Sequence, residues 1–122
     1  MYIAVLSADQ RRAKQLGEQI LDTCMQNGCY STFLSYPANH EFLRELDRRQ
    51  FNTVVITADS ADELYLAHSI SKRKPGIKLI LLGDQQTAVE GYCLNADYCA
   101  KAQPQREDLK RIARIIFPAV HG

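Results

Sequence analysis

No stretch of this chain is apolar for long enough to cross a bilayer. Its uninterrupted apolar runs, such as Ile3 to Leu6 and Leu79 to Leu82, are strand-sized, far below the ~20 residues a spanning helix needs. Neither charge sign dominates: 15 basic and 14 acidic residues leave a net charge of +1, which gives phosphate backbones and anionic membranes no field to follow. Direct nucleic-acid binding by this segment is therefore not expected, nor is membrane attachment. Cys24, Cys29, Cys93 and Cys99 form no C-x-x-C pair, and His40, His68 and His121 are not spaced with them for zinc. Reduced thiols and no bound metal are the expectation. The N-terminus lacks a basic leader ahead of an apolar region, so it reads as a first strand and a cytoplasmic location is expected. Glycine is missing from Ser7-Ala8-Asp9-Gln10-Arg11-Arg12, where a dinucleotide, nucleotide or flavin phosphate would need backbone amides to come close. The histidines fall on expected helices or the tail, so no Ser-His-Asp or Cys-His pairing can be built from them. Neither an enzymatic reaction nor a cofactor is expected.

What remains is a chain of 122 residues, 46% hydrophobic and 24% charged, the balance of one water-soluble domain spanning 1–122. A chain of this length buries roughly two-thirds of its unfolded surface and needs no disulfide or metal to hold together. Short apolar runs alternate five times with stretches of helical period. Tyr2 to Leu6 is the first run, and Asp9 can cap a helix with Ala13, Leu16, Ile20 and Cys24 on one face and Asn27-Gly28 at its end. Cys29 to Leu34 is expected as the second strand, followed by Asn39 as cap of a short helix burying Phe42, Leu43 and Leu46. Phe51 to Ile56 reads as a central strand, apolar on consecutive positions, and a helix with Leu64, Ala67 and Ile70 follows. After Pro75-Gly76 comes Ile77 to Leu82, then a fourth helix with Ala88, Val89 and Tyr92. A brief strand at Tyr98 to Ala100 leads to a final helix opened by Pro104 and carrying Leu109, Ile112, Ala113 and Ile116. Lys110, Arg111 and Arg114 read as its solvated face.

Strand and helix in alternation, with connections this short, imply right-handed crossovers and a parallel sheet between two helix layers. The expectation is an α/β, three-layer flavodoxin-like sandwich with five parallel strands in the order 2-1-3-4-5 and five helices. In such a sheet, ligands gather outside the carboxyl ends of the strands, so Ser7 to Asp9, Thr57 to Asp59, Gly83-Asp84 and Lys101 are the positions to question.

Along its whole length the chain resembles the phosphoacceptor receiver domains of bacterial two-component response regulators, the CheY-like fold. The run Ala88 to Lys101 resembles the fourth helix and fifth strand of receivers that precede LytTR-type DNA-binding domains. Those carry an Ala-Asp-Tyr, two apolar residues, Lys-Pro run, here kept at Tyr98 and Lys101, with Ala102 in the place of the proline. The resemblance implies an acidic pair for Mg²⁺ at the end of the first strand, a phosphoacceptor aspartate at the end of the third and a hydroxyl residue at the end of the fourth. This sequence has Ser7 and Ala8, Thr57 and Gly83 at those places, and only Lys101 survives. Alanine and serine cannot supply the carboxylate oxygens a hard cation requires, and a threonine hydroxyl without a base is a poor phosphoryl acceptor.

The resemblance thus implies a degenerate receiver, or pseudo-receiver, for a two-component-type phosphorelay. It would regulate a protein partner or an appended output domain by contact, as the excised N-terminal part of a transcription regulator would. Tyr98, matching the aromatic switch of the family, together with Tyr92 and Val89, marks the face for partners or a homodimer. Two alternatives stand beside this. Asp9, Asp59 and Asp84 lie just beyond the vacated positions and could form a displaced acidic site with Asp59 as acceptor, although capping alone explains Asp9. The scaffold could also hold a small-molecule sensor site between the first and third strands.

Overall fold

The structure is a computed structural model that describes residues 2–84, 86–87, 89–90 and 95–117. Its elements are β1 (Tyr2–Ser7), α1 (Gln10–Gln26), β2 (Thr32–Pro37), α2 (Phe42–Arg48), β3 (Phe51–Ala58), α3 (Ala61–Arg73), β4 (Lys78–Gly83), β5 (Tyr98–Ala100) and α4 (Arg106–Ile116). The five strands are all parallel, in the order β2-β1-β3-β4-β5. This is the flavodoxin-like arrangement the sequence implied.

Side-chain alternation builds the layers. Ile3 and Val5 of β1, Val55 of β3, and Ile80 and Leu82 of β4 pack with α1 and α4, while Ala4, Leu6, Val54, Ile56, Leu79 and Leu81 pack with α2 and α3. A strand with period two that is apolar at every position must feed two cores at once, and only a sheet covered on both faces allows it. Each isoleucine or leucine that is 0% exposed, such as Leu6 and Ile80, contributes about 1.5–3 kcal/mol by leaving water.

Several local expectations shift. The second strand starts at Thr32 and not at Cys29, because the Cys29 amide closes the end of α1 by donating to the Cys24 carbonyl at 2.9 Å. Gly28 provides the turn with φ 76°, a left-handed conformation that costs glycine little. The strand also runs on through Pro37, which an edge strand tolerates as its last residue. Asn39 is not the cap of α2. It closes the turn before it, its side chain accepting the Glu41 amide at 3.0 Å, and Glu41 takes the cap position. In α3 the buried stripe is Glu63, Leu66, Ala67 and Ile70, so Leu64 is only half-buried. Pro104 lies outside the final helix, which starts after Gln105 because the Asp108 carboxylate reaches back to the Gln105 amide at 2.9 Å. Of the expected fourth helix, Gln86, Thr87, Val89 and Glu90 are helical, whereas Ala88 and Tyr92 lie outside the described residues. No described helix is long and apolar enough to cross a membrane.

Candidate functional site

The register Ser7↔Pro37, Leu6↔Ile56 and Ala58↔Gly83 brings the carboxyl ends of β1, β3 and β4 to one edge. Ser7 and Thr57 are 0% exposed there and turned to structural tasks. The Ser7 hydroxyl accepts the Asp9 amide at 3.2 Å, and Thr57 donates to the Leu6 carbonyl at 3.5 Å across the sheet. Ala8 is exposed beside them, as is Lys101 beyond β5.

Asp9 is the N-cap of α1, accepting the Arg11 amide at 3.0 Å and the Arg12 amide at 3.4 Å, as its place in the sequence implied. Asp59 meets a cation instead of another carboxylate: Arg12 Nη1 stands 3.3 Å from Asp59 Oδ2. The same guanidinium donates through Nη2 to the Ala102 carbonyl at 2.5 Å. One side chain from the first turn of α1 thereby ties the loop after β3 to the loop after β5. Glu63, nearly buried, closes the β3 loop from the other side by accepting the Asp59 amide at 3.4 Å and the Ser60 hydroxyl.

At the end of β4 the space above Gly83 is occupied. A Cβ on Gly83 would lie 2.5 Å from Thr87 Oγ1 and 2.9 Å from the Ala58 carbonyl oxygen, so only glycine fits. The Thr87 hydroxyl reaches the Ala58 carbonyl at 3.3 Å and Asp84 Oδ1 at 3.1 Å, and the Thr87 amide donates to the same carboxylate at 2.9 Å. Those hydrogen bonds, the amide first and then the hydroxyl, hold the Asp84 carboxyl below its ordinary pKa. Asp9, Asp59 and Asp84 each serve a separate partner, and among the described residues no group of three or more His, Cys, Asp or Glu is placed to hold a metal ion.

Tyr98 is half-buried and its hydroxyl donates to Asp108 Oδ1 at 2.6 Å. Burial foremost, and then this bond, raise the phenol pKa, while the bond is the main cause that lowers the carboxyl of Asp108. Val89 is 62% exposed, and Tyr92, the remaining member of that face, lies outside the described residues.

Sequence reasoning passed over Arg12, Glu63, Thr87 and Asp108. Three of them carried a local signal: Ser60-x-x-Glu63, Asp84-x-x-Thr87 and Gln105-x-x-Asp108 have the spacing by which a helix's first turn is closed by side chains. Arg12 had none, since its anchors lie 47 and 90 positions away.

With this geometry in view, the comparisons place the architecture among the CheY-like receiver domains of response regulators. No family model matches the sequence, and no curated protein matches it either. Solved structures do. A putative pilus assembly-related protein of Burkholderia pseudomallei is 19% identical with a TM-score of 0.75, over 99% of this chain and 92% of that one. A CheY-like response regulator receiver domain protein of Methanospirillum hungatei is 21% identical with a TM-score of 0.68, over 96% and 94%. An atypical orphan response regulator with a phosphorylation-independent regulatory mechanism is 18% identical with a TM-score of 0.67, over 94% and 92%. TM-scores of 0.67 to 0.75 at these identities show a shared fold and nothing finer.

Proposed function

We propose that this chain is a receiver-like signalling domain that acts through protein contacts and takes up no phosphoryl group. The observation that carries the reading is Arg12, whose guanidinium pairs at 3.3 Å with Asp59, the acidic residue that directly follows β3. A divalent cation of the receiver type would need carboxylate oxygens at Ser7 and Ala8, and neither side chain has one. Thr57, at the acceptor place, is buried with its hydroxyl directed at a backbone carbonyl, so it offers no nucleophile to an incoming phosphoryl donor. The residues present therefore do not fit the metal that receiver phosphorylation uses. The neighbouring orphan regulator with a phosphorylation-independent mechanism is a precedent on the same scaffold. Output then comes from a partner, a second copy or an appended domain of a transcription regulator meeting the surface around Val89 and Tyr98.

The test is incubation with Mg²⁺ and acetyl phosphate, or with beryllofluoride, followed by amide spectra and intact mass. Unchanged shifts around Asp59 and Lys101 and an unchanged mass are expected. A Mg²⁺-dependent shift there, or a labile adduct on Asp59, would restore the displaced phosphoacceptor.

A further inference from the structure

Away from the carboxyl edge, a cleft of about 520 Å³ runs between the C-terminal half of α1 and α4, within the usual range of about 300–1,000 Å³ for binding sites. Its floor is Cys24, Ala113 and Phe117, and one wall is Arg106, Lys110 and Arg114. Those three cations are spaced four residues apart, so they form a ladder along one face of α4 with about 6 Å between rungs. No carboxylate is among the described residues that line the cleft. Arg106 and Arg114 form no ion pair among the described residues, and Lys110 reaches only Glu107 of its own helix, at 3.9 Å. In a chain with a net charge of +1 this is a local concentration of one sign.

The opposite wall is the C-terminal turn of α1, which contributes no carboxylate to the lining. The carbonyls at the end of α1 are already taken, Cys24 O by the Asn27 and Cys29 amides and Met25 O by the Gly28 amide, each within 3.0 Å. Two of the exposed large apolar side chains, Met25 and Tyr30, flank this stretch in the sequence. The Cys24 thiol belongs to the floor as a packing group: burial, with Cys29 nearby, pushes its pKa up to about 11, far from a reactive thiolate.

We infer that the cleft between α1 and α4 docks an acidic helical segment of a partner protein. Carboxylates one turn apart on that segment repeat at the spacing of Arg106, Lys110 and Arg114, and an apolar side chain between them covers Ala113 and Phe117. An apolar floor beneath a cationic wall suits an amphipathic helix better than a phosphate backbone, which has no apolar face to bury. The inference rests on the contact-module reading and names the partner's chemistry.

The test titrates ¹⁵N-labelled protein with a synthetic helical peptide bearing glutamates at successive i, i+4 positions and leucines on the adjoining face. Amide shifts confined to residues 23–29 and 106–117, fading with added salt, are expected. The combined variant Arg106→Glu, Lys110→Glu, Arg114→Glu, with an unchanged circular dichroism spectrum, should bind about tenfold more weakly or worse. Should it not fold, Arg114→Ala replaces it and must still weaken binding. The absence of shifts at millimolar peptide, shifts elsewhere, or equal binding by the variants would overturn the inference. So would tighter binding of sodium tripolyphosphate or of a DNA duplex at the same residues, which would make the cleft a general polyanion site. An aspartyl phosphate adduct, by contrast, would defeat the contact-only reading and leave the peptide result standing.

Discussion

Arg12 Nη1 lies 3.3 Å from Asp59 Oδ2, so the first turn of α1 and the loop after β3 are joined by an ion pair across the carboxyl edge of the sheet. With 26% and 47% of the two side chains exposed, water screens the pair, and its contribution to global stability is about 0–1 kcal/mol. Its effect is local: together with the bond to the Ala102 carbonyl, it links the loop after β3 to the loop after β5.

Replacing Arg12 with Ala is expected to lower the unfolding free energy by no more than about 1 kcal/mol in urea titrations. The same substitution should raise amide hydrogen exchange at Asp59, Ser60 and Ala102. A loss of several kcal/mol, or exchange unchanged at those residues, would contradict the tether.

Gly83→Ala should destabilise the fold by about 1–3 kcal/mol, because the new methyl meets Thr87 and the Ala58 carbonyl inside contact distance. Thr87→Ala removes the shortest of the close contacts, the one to Oγ1 at 2.5 Å, so in the double variant the cost of Gly83→Ala should fall. A double-mutant cycle by chemical denaturation reads the coupling, and purely additive costs would show that the crowding does not decide the glycine.

Tyr98→Phe removes the donor that holds Asp108 and is expected to cost about 1 kcal/mol near neutral pH. The pH limbs follow from the two shifts. Asp108 sits below its ordinary value of 3.8 in the folded state, so its contribution is present above that pH and lost as the pH falls through the folded value. Tyr98 sits above its ordinary value of 10.0, so its contribution is present below that pH and lost as the pH rises through the folded value. Stability measured against pH should lose part of both limbs in the variant, and a curve parallel to that of the parent would refute the pairing.

Most of the architecture was legible in the chain because it depends on short-range patterns. Val54, Val55 and Ile56 in a row mark a central strand, and Asp9 ahead of Ala13, Leu16 and Ile20 marks a capped helix. The start of β2 was misplaced because an edge strand with alternating exposure carries a weak signal. The apolar Cys29-Tyr30 there belongs to the end of a helix and to the surface. At the candidate site, the residue types Ser7, Ala8, Thr57 and Gly83 were readable in the sequence, but what packs around them was not.

The amino-acid order by itself determined that five strands form, in which succession they alternate with helices and with which faces inward. Periods of two and 3.6 residues and the capping residues act over a few positions. Only the folded sheet decided that Arg12 meets Asp59 and Ala102, that Thr87 reaches the Ala58 carbonyl, and that a row of cations on α4 borders a cleft beside α1. Each of those contacts joins segments brought together by parallel crossovers, and the register that aligns them is set by the packing of both cores at once.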